Sequence, residues 1–117
     1  MQNVDFGRKW EDFACEYLEK QGFLILDRNF YSRYGEIDIV AKDLEDLVFV
    51  EVKARSSKKF GAPQEAVTPY KLRSIRKTAD YFLLKNPKYE KLGQRIDVCA
   101  ISTDYFPPKV EIIKSVC

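Results

Sequence analysis

Histidine does not occur in the 117 residues of this chain. Its absence excludes Ser-His-Asp and Cys-His catalysis, zinc sites that need imidazole, and nucleases whose general base is histidine. Any acid–base or metal chemistry has to come from carboxylates, lysines and water. A carboxylate-only site favours hard, oxygen-seeking ions such as Mg²⁺ or Mn²⁺. Cysteine is scarce too. Cys15, Cys99 and Cys117 are odd in number and widely spaced, which indicates neither a disulfide framework nor a zinc ribbon. Glycine and proline, five of each, are too few for a disordered or fibrous chain. No apolar run approaches the ~18 residues of a membrane span, and Met1-Gln2-Asn3-Val4-Asp5 lacks the basic-then-apolar pattern of a signal peptide. The expected location is the cytoplasm, with no membrane partner.

What is present suits one ordinary domain, expected over residues 1–117, because a 45% hydrophobic content can bury a real core. The formal charge is only +2, but it is unevenly placed. Between Lys53 and Lys77 lie eight basic residues against Glu65 alone, net +7, so the remaining residues carry net −5. A basic surface on a mildly acidic body suits a polyanion held at one face. The alternative is a solvated loop and helix with ordinary lysines.

Helical spacing of Phe6, Trp10, Phe13, Ala14, Tyr17 and Leu18 predicts a helix from Phe6 to Gln21, stopped by Gly22. Short strands are expected at Phe23–Leu26 and Glu36–Ala41, with a turn at Ser32–Gly35, and a longer one at Leu47–Arg55. Apolar residues on both faces of the last mark it as central. A polar loop over Ser56–Pro63 and a short turn at Gln64–Val67 follow. Thr68 as N-cap and Pro69 at the first helical position open a second helix, with Leu72, Ile75, Ala79, Phe82 and Leu83 as its apolar stripe and Asn86-Pro87 as its end. Two more strands are expected at Arg95–Ile101 and Lys109–Val116. The order α-β-β-β-α-β-β is most simply satisfied by a central mixed sheet with a helix on each face.

Alternation places Glu36 and Asp38 on one face of their strand, with Ile37 and Ile39 on the other; Glu51 and Lys53 share a face of the next strand. The short turn between these strands makes them antiparallel neighbours, so the polar faces can converge. Charges at the edge of a core cost several kcal/mol unless paired or bound to metal, on the order of the known burial penalties. The set fits phosphodiester hydrolysis. Asp38 and Glu51 can hold a divalent ion, Lys53 can orient or help deprotonate a water, and Glu36 can serve as a second ligand or an outer acceptor. The competing reading is an ion-pair ladder on an amphipathic hairpin. Glu11, beside Trp10 in the first helix, can complete the metal site directly or through water; otherwise it is an ordinary half-exposed glutamate. Trp10 itself reads as a core anchor.

The segments Gly35-Glu36-Ile37-Asp38-Ile39-Val40, Phe49-Val50-Glu51-Val52-Lys53-Ala54-Arg55 and Phe60-Gly61-x-Pro63, with Lys71, resemble the YraN family of bacterial proteins. Gly7-x-x-x-Glu11, Gly22-Phe23, Asn29 and Arg95-Ile96-Asp97-Val98 extend the resemblance over about nine tenths of the chain. The resemblance implies an α/β, restriction-endonuclease-like fold, similar to the Holliday junction resolvases of the PD-(D/E)xK superfamily. On that comparison Asp38 falls at the motif's aspartate, Glu51 at its second acid, Lys53 at its lysine, and Glu11 at a first-helix glutamate. Ile37 stands where the superfamily has its proline. The implied activity is a Mg²⁺- or Mn²⁺-dependent endonuclease, with branched DNA among its candidate substrates. The alternative is a non-catalytic DNA- or RNA-binding module of the same fold. Candidate metal ligands are Asp38, Glu51, Glu11 and Glu36; Asp38, Glu51, Lys53 and Glu11 are the candidate catalytic residues. Arg55, Lys58, Lys59, Lys71, Arg73, Arg76 and Lys77 are the expected nucleic-acid contacts, DNA being the expected partner. Cutting both strands of a junction needs two active sites, hence an expected homodimer.

Overall fold

The computed structural model describes residues 2–56 and 67–116, with side chains from residue 7 on. Helix α1 (Gln2–Lys20) ends as expected, with the Gln21 and Gly22 amides bonded back to the carbonyls of the last turn and Gly22 at φ 97°. Strands β1 (Leu24–Ser32), β2 (Gly35–Asp43) and β3 (Asp46–Arg55) follow as an antiparallel meander. Helix α2 (Pro69–Lys85) then leads through a 3₁₀ turn (Pro87–Tyr89) to β4 (Gly93–Ser102), which pairs parallel to β3. The final strand, β5 (Lys109–Ile113), returns antiparallel to β4. The sheet order is β1-β2-β3-β4-β5, so β3 is central.

The chain order and the mixed sheet between helices are those read from the sequence. Thr68 caps α2, its hydroxyl accepting the Lys71 amide at 3.1 Å with Pro69 next to it. Burial divides the core by the two sheet faces. Trp10, Ala14, Cys15 and Leu18 of α1 pack with Ile39, Ala41, Val48 and Val50. Ile75, Ala79 and Phe82 of α2 pack on the opposite face with Val40, Leu47, Phe49 and Val98. Trp10 is the expected core anchor, 7% exposed and edge-on to Phe13.

β1 is longer than expected. It runs on from Leu26 through Asp27, Arg28 and Asn29 because an edge strand can hold polar residues that read as loop. β5 stops at Ile113, three residues early, where Val116 and Ser115 turn back to bond the Ile96 carbonyl and the Asp97 carboxylate. The Ser56–Pro63 loop, with Lys58 and Lys59, lies largely outside the described residues, as does most of the Gln64–Val67 turn. No helix among the described residues is long and apolar enough to cross a membrane.

Arg95 locks the sheet at the β2–β3 hairpin. Its guanidinium bonds Asp43 at 2.8 Å, Asp46 at 2.9 Å and Asp97 at 3.1 Å. Asp97 is fully buried, and such a carboxylate is tolerable only when paired in this way.

Candidate active site

On β3 the odd positions Leu47 and Phe49 face α2 and the even positions Val48 and Val50 face α1. Glu51 and Lys53 continue the odd row beyond the closed core. β2 does not keep its alternation. Ile39 joins the α1-side core, as its pairing with Val50 requires, whereas Ile37 joins the α2-side core. Two isoleucines two residues apart thus lie on opposite sides of the sheet, and the expectation that they share a face is corrected. The reason is a kink shared by two strands. In β1, Arg28 reaches Asp12 of α1 at 2.7 Å, while Phe30 packs edge-on to Phe82 of α2. Between them Asn29 has φ 53°, a left-handed conformation that asparagine tolerates better than most residues.

The kink puts acidic groups where the ladder opens. The β2–β3 pairing ends at Ile39–Val50, and beyond it the Asp38 Oδ2 accepts the Val52 amide at 2.8 Å. A side chain thereby takes the place of a backbone carbonyl. Glu36 is carried toward α1, where the Asn29 side-chain amide donates both to Glu36 Oε2 at 2.9 Å and to Glu11 Oε1 at 3.0 Å. The four acids therefore form two pairs. Asp38 and Glu51 lie together in the opening of the sheet, and Glu11 and Glu36 are clamped by Asn29.

Glu51 is only 5% exposed. Its Oε2 faces Lys71 Nζ at 3.7 Å and Lys53 Nζ at 3.8 Å. Its Oε1 is buried with no hydrogen-bond partner among the described residues. An unmatched buried acceptor costs about 1–3 kcal/mol, a cost that a proton shared with Asp38 or a bound cation relieves. Burial, and next the Glu51 charge, push the Asp38 carboxyl up to about 7, against the opposing Val52 hydrogen bond. Burial also raises the Glu51 carboxyl, opposed by the charges of Lys71 and Lys53. The pair thus holds a proton near neutrality that a cation can displace. Outside it, the Glu36 charge pushes the exposed Tyr31 phenol up.

Among the described residues no three acidic or sulfur side chains converge into a ready-made metal cage. The donors nevertheless fit a hard divalent ion. Mg²⁺ keeps several waters and takes one or two carboxylates plus substrate phosphates, and the Asp38–Glu51 pair supplies oxygen ligands alone. A cleft of about 260 Å³ adjoins this opening, lined by Trp10 and Glu11 of α1 and Val52 to Arg55 of β3.

Lys71 is placed differently from the other residues expected on phosphates: it reaches into the site to Glu51. Arg73, Arg76 and Lys77 stand exposed on α2, and Arg55 is exposed at the end of β3. Lys58 and Lys59 fall outside the described residues. Asn29 was legible only as part of a motif, and its left-handed backbone and clamp were not. The one available signal was an asparagine interrupting an otherwise strand-forming run.

The family model described as Uncharacterised protein family UPF0102 matches residues 10–101, a span that holds Glu11, Asn29, both β3 site residues and Lys71. A UPF0102 protein of Syntrophomonas wolfei is 46% identical over 87 residues, covering 74% of this chain and 76% of the relative. Those of Syntrophus aciditrophicus and Geobacter metallireducens are 42% and 44% identical over 113 residues, covering 97% of this chain and 88% and 92% of theirs.

Proposed function

We propose that this chain, which belongs to the UPF0102 family, is a metal-dependent hydrolase of nucleic-acid phosphodiesters. The observation that carries the reading is half-buried Asp38 beside buried Glu51, whose carboxylate faces two lysines, in a protein without histidine. Asp38 and Glu51 would hold Mg²⁺ or Mn²⁺, which when bound supplies a lowered water pKa and offsets charge on the phosphoryl group. The Val52 amide fixes the Asp38 carboxylate, leaving Oδ1 for the ion. Lys53 sits where it can orient a water or meet the charge that develops on the phosphate oxygens. Lys71 balances the Glu51 charge at the same oxygen as Lys53 and gives the scissile phosphate a second cation. Glu11 and Glu36, set by Asn29, act through outer-shell waters or on a second ion. Arg73, Arg76 and Lys77 hold the flanking backbone phosphates, a contact that carries affinity rather than sequence information.

The test is single-turnover cleavage of labelled single-stranded, duplex, flap and four-way substrates in Mg²⁺, Mn²⁺ or EDTA, paired with calorimetric Mn²⁺ binding. Asp38→Asn and Glu51→Gln are expected to lose both metal binding and cleavage. Lys53→Ala is expected to keep metal binding and lose turnover, since its interaction is made chiefly in the transition state. A wild-type chain that binds no divalent ion at millimolar concentration and cuts no substrate would end the catalytic reading. The exposed cations of α2 would then favour a binding module without catalysis.

A further inference from the structure

A second cavity, of about 410 Å³, opens beside the acidic site and is lined by Tyr31, Ser32, Arg33, Tyr34 and Tyr81. Its three rings are 66%, 41% and 37% exposed, respectively. Among the described residues the Tyr31 ring stacks on no other ring or cation. The surroundings are cationic: the Arg33 guanidinium and Lys77 ammonium lie 5.1 and 5.3 Å from the Tyr34 ring centre, and Lys85 lies 5.5 Å from that of Tyr81. Among the described residues no carboxylate lines the cavity, although Glu36 neighbours the Tyr31 phenol at its edge.

The hairpin tip that carries Tyr31 and Tyr34 is anchored to α2. Ser74 of α2 donates to the Tyr34 carbonyl at 2.6 Å, and the hydroxyls of Ser32 and Thr78 share a hydrogen bond of 2.8 Å. Gly35, at φ 146°, has no Cβ where Ser74 presses in, so the hairpin tip docks on α2 at that point. Lys71, Ser74, Thr78 and Tyr81 recur at helical spacing along one line of α2. That line begins at Glu51 and ends at the cavity.

We propose that this tyrosine pocket seats unpaired nucleobases, so that the substrate reaches the acidic site as single-stranded nucleic acid or as an unpaired segment of a larger one. The proposal rests on the nucleic-acid reading above and narrows its substrate class. Exposed rings bordered by cations match a strand whose bases show their faces and whose phosphates run alongside. A duplex offers cations its phosphates but shows no base faces to a ring. A base stacked on Tyr31 carries its nucleotide to the edge of the acidic site, because that phenol neighbours Glu36.

The experiment is equilibrium binding in EDTA, where cleavage is off, using DNA and RNA oligonucleotides carrying 2-aminopurine, each single-stranded and as a duplex. Wild-type protein should quench the base fluorescence of a single strand. Tyr31→Ala and Tyr34→Ala should each lower single-strand affinity about tenfold, abolish much of the quench and leave duplex affinity unchanged, with Tyr→Phe at either position retaining both signals. Thermal melts check that these exposed positions leave the fold intact. Alanine variants that bind single strands as wild type does, or that lose single strands and duplex equally, would overturn the stacking proposal while leaving a backbone-binding nuclease standing. A wild-type chain that binds no nucleic acid even at low salt would remove the reading beneath it as well.

Discussion

Replacing Asp38 with asparagine should stabilise the metal-free protein at neutral and alkaline pH, although it removes a candidate metal ligand. In the fold, burial and the Glu51 charge push the Asp38 carboxyl from its ordinary 3.8 up to about 7. A carboxyl that holds its proton more tightly in the folded than in the unfolded state lowers stability as pH rises between those two values. Below about 4 it costs nothing, and above about 7 the penalty is complete. At about 1.4 kcal/mol per pH unit that interval corresponds to about 4 kcal/mol, an upper figure because Glu51 shares the titration. Asparagine carries no charge to desolvate and keeps an oxygen for the Val52 amide. The assay is urea unfolding in EDTA from pH 4.5 to 8.5. The wild-type chain should lose stability across the range and the variant much less, leaving the variant ahead by about 2–4 kcal/mol at pH 8. Mn²⁺ at 1,000 times its Kd should erase or reverse that lead, since it adds about 4.1 kcal/mol to the wild type and nothing to a variant that cannot bind it. Parallel pH profiles, or a variant less stable than wild type at pH 8 in EDTA, would refute the reasoning.

Asn29→Gly keeps the left-handed backbone accessible but removes the amide between Glu11 and Glu36; calorimetry should show Mn²⁺ affinity reduced about tenfold with little change in melting temperature. Arg95→Met leaves Asp43, Asp46 and buried Asp97 facing one another without a cation, and urea unfolding should register a loss of about 3–5 kcal/mol. Arg76→Ala should weaken nucleic-acid binding alike for all sequences and lower the slope of log affinity against log salt by about one; an unchanged slope would make this helix face mere solvated surface.

Much of this molecule is written in local patterns. Thr68-Pro69 and Asn86-Pro87 bracket α2 because capping and the missing proline amide act within a turn. The central place of β3 follows from apolar residues on both its faces, and the pairing of Glu51 with Lys53 from the two-residue repeat of a strand. The absence of histidine confines the chemistry to oxygen ligands and lysines before any fold is considered. Other features needed the chain to close on itself. The period-two rule assigns faces only while a ladder is unbroken, and the left-handed Asn29 breaks it in β1 where Asp38 breaks it in β2; Ile37 and Ile39 consequently part company, and Glu36 swings to Glu11. Lys71 belongs to the acidic site rather than the outer helix surface only because α2 docks across the hairpin, through Ser74 and Thr78, at an angle that no spacing within the helix encodes. Arg95 likewise finds Asp43 and Asp46 only through parallel pairing of β4 with β3. Local propensity acts between neighbours, whereas these contacts join residues tens of positions apart, and their geometry exists only once both sheet faces are covered.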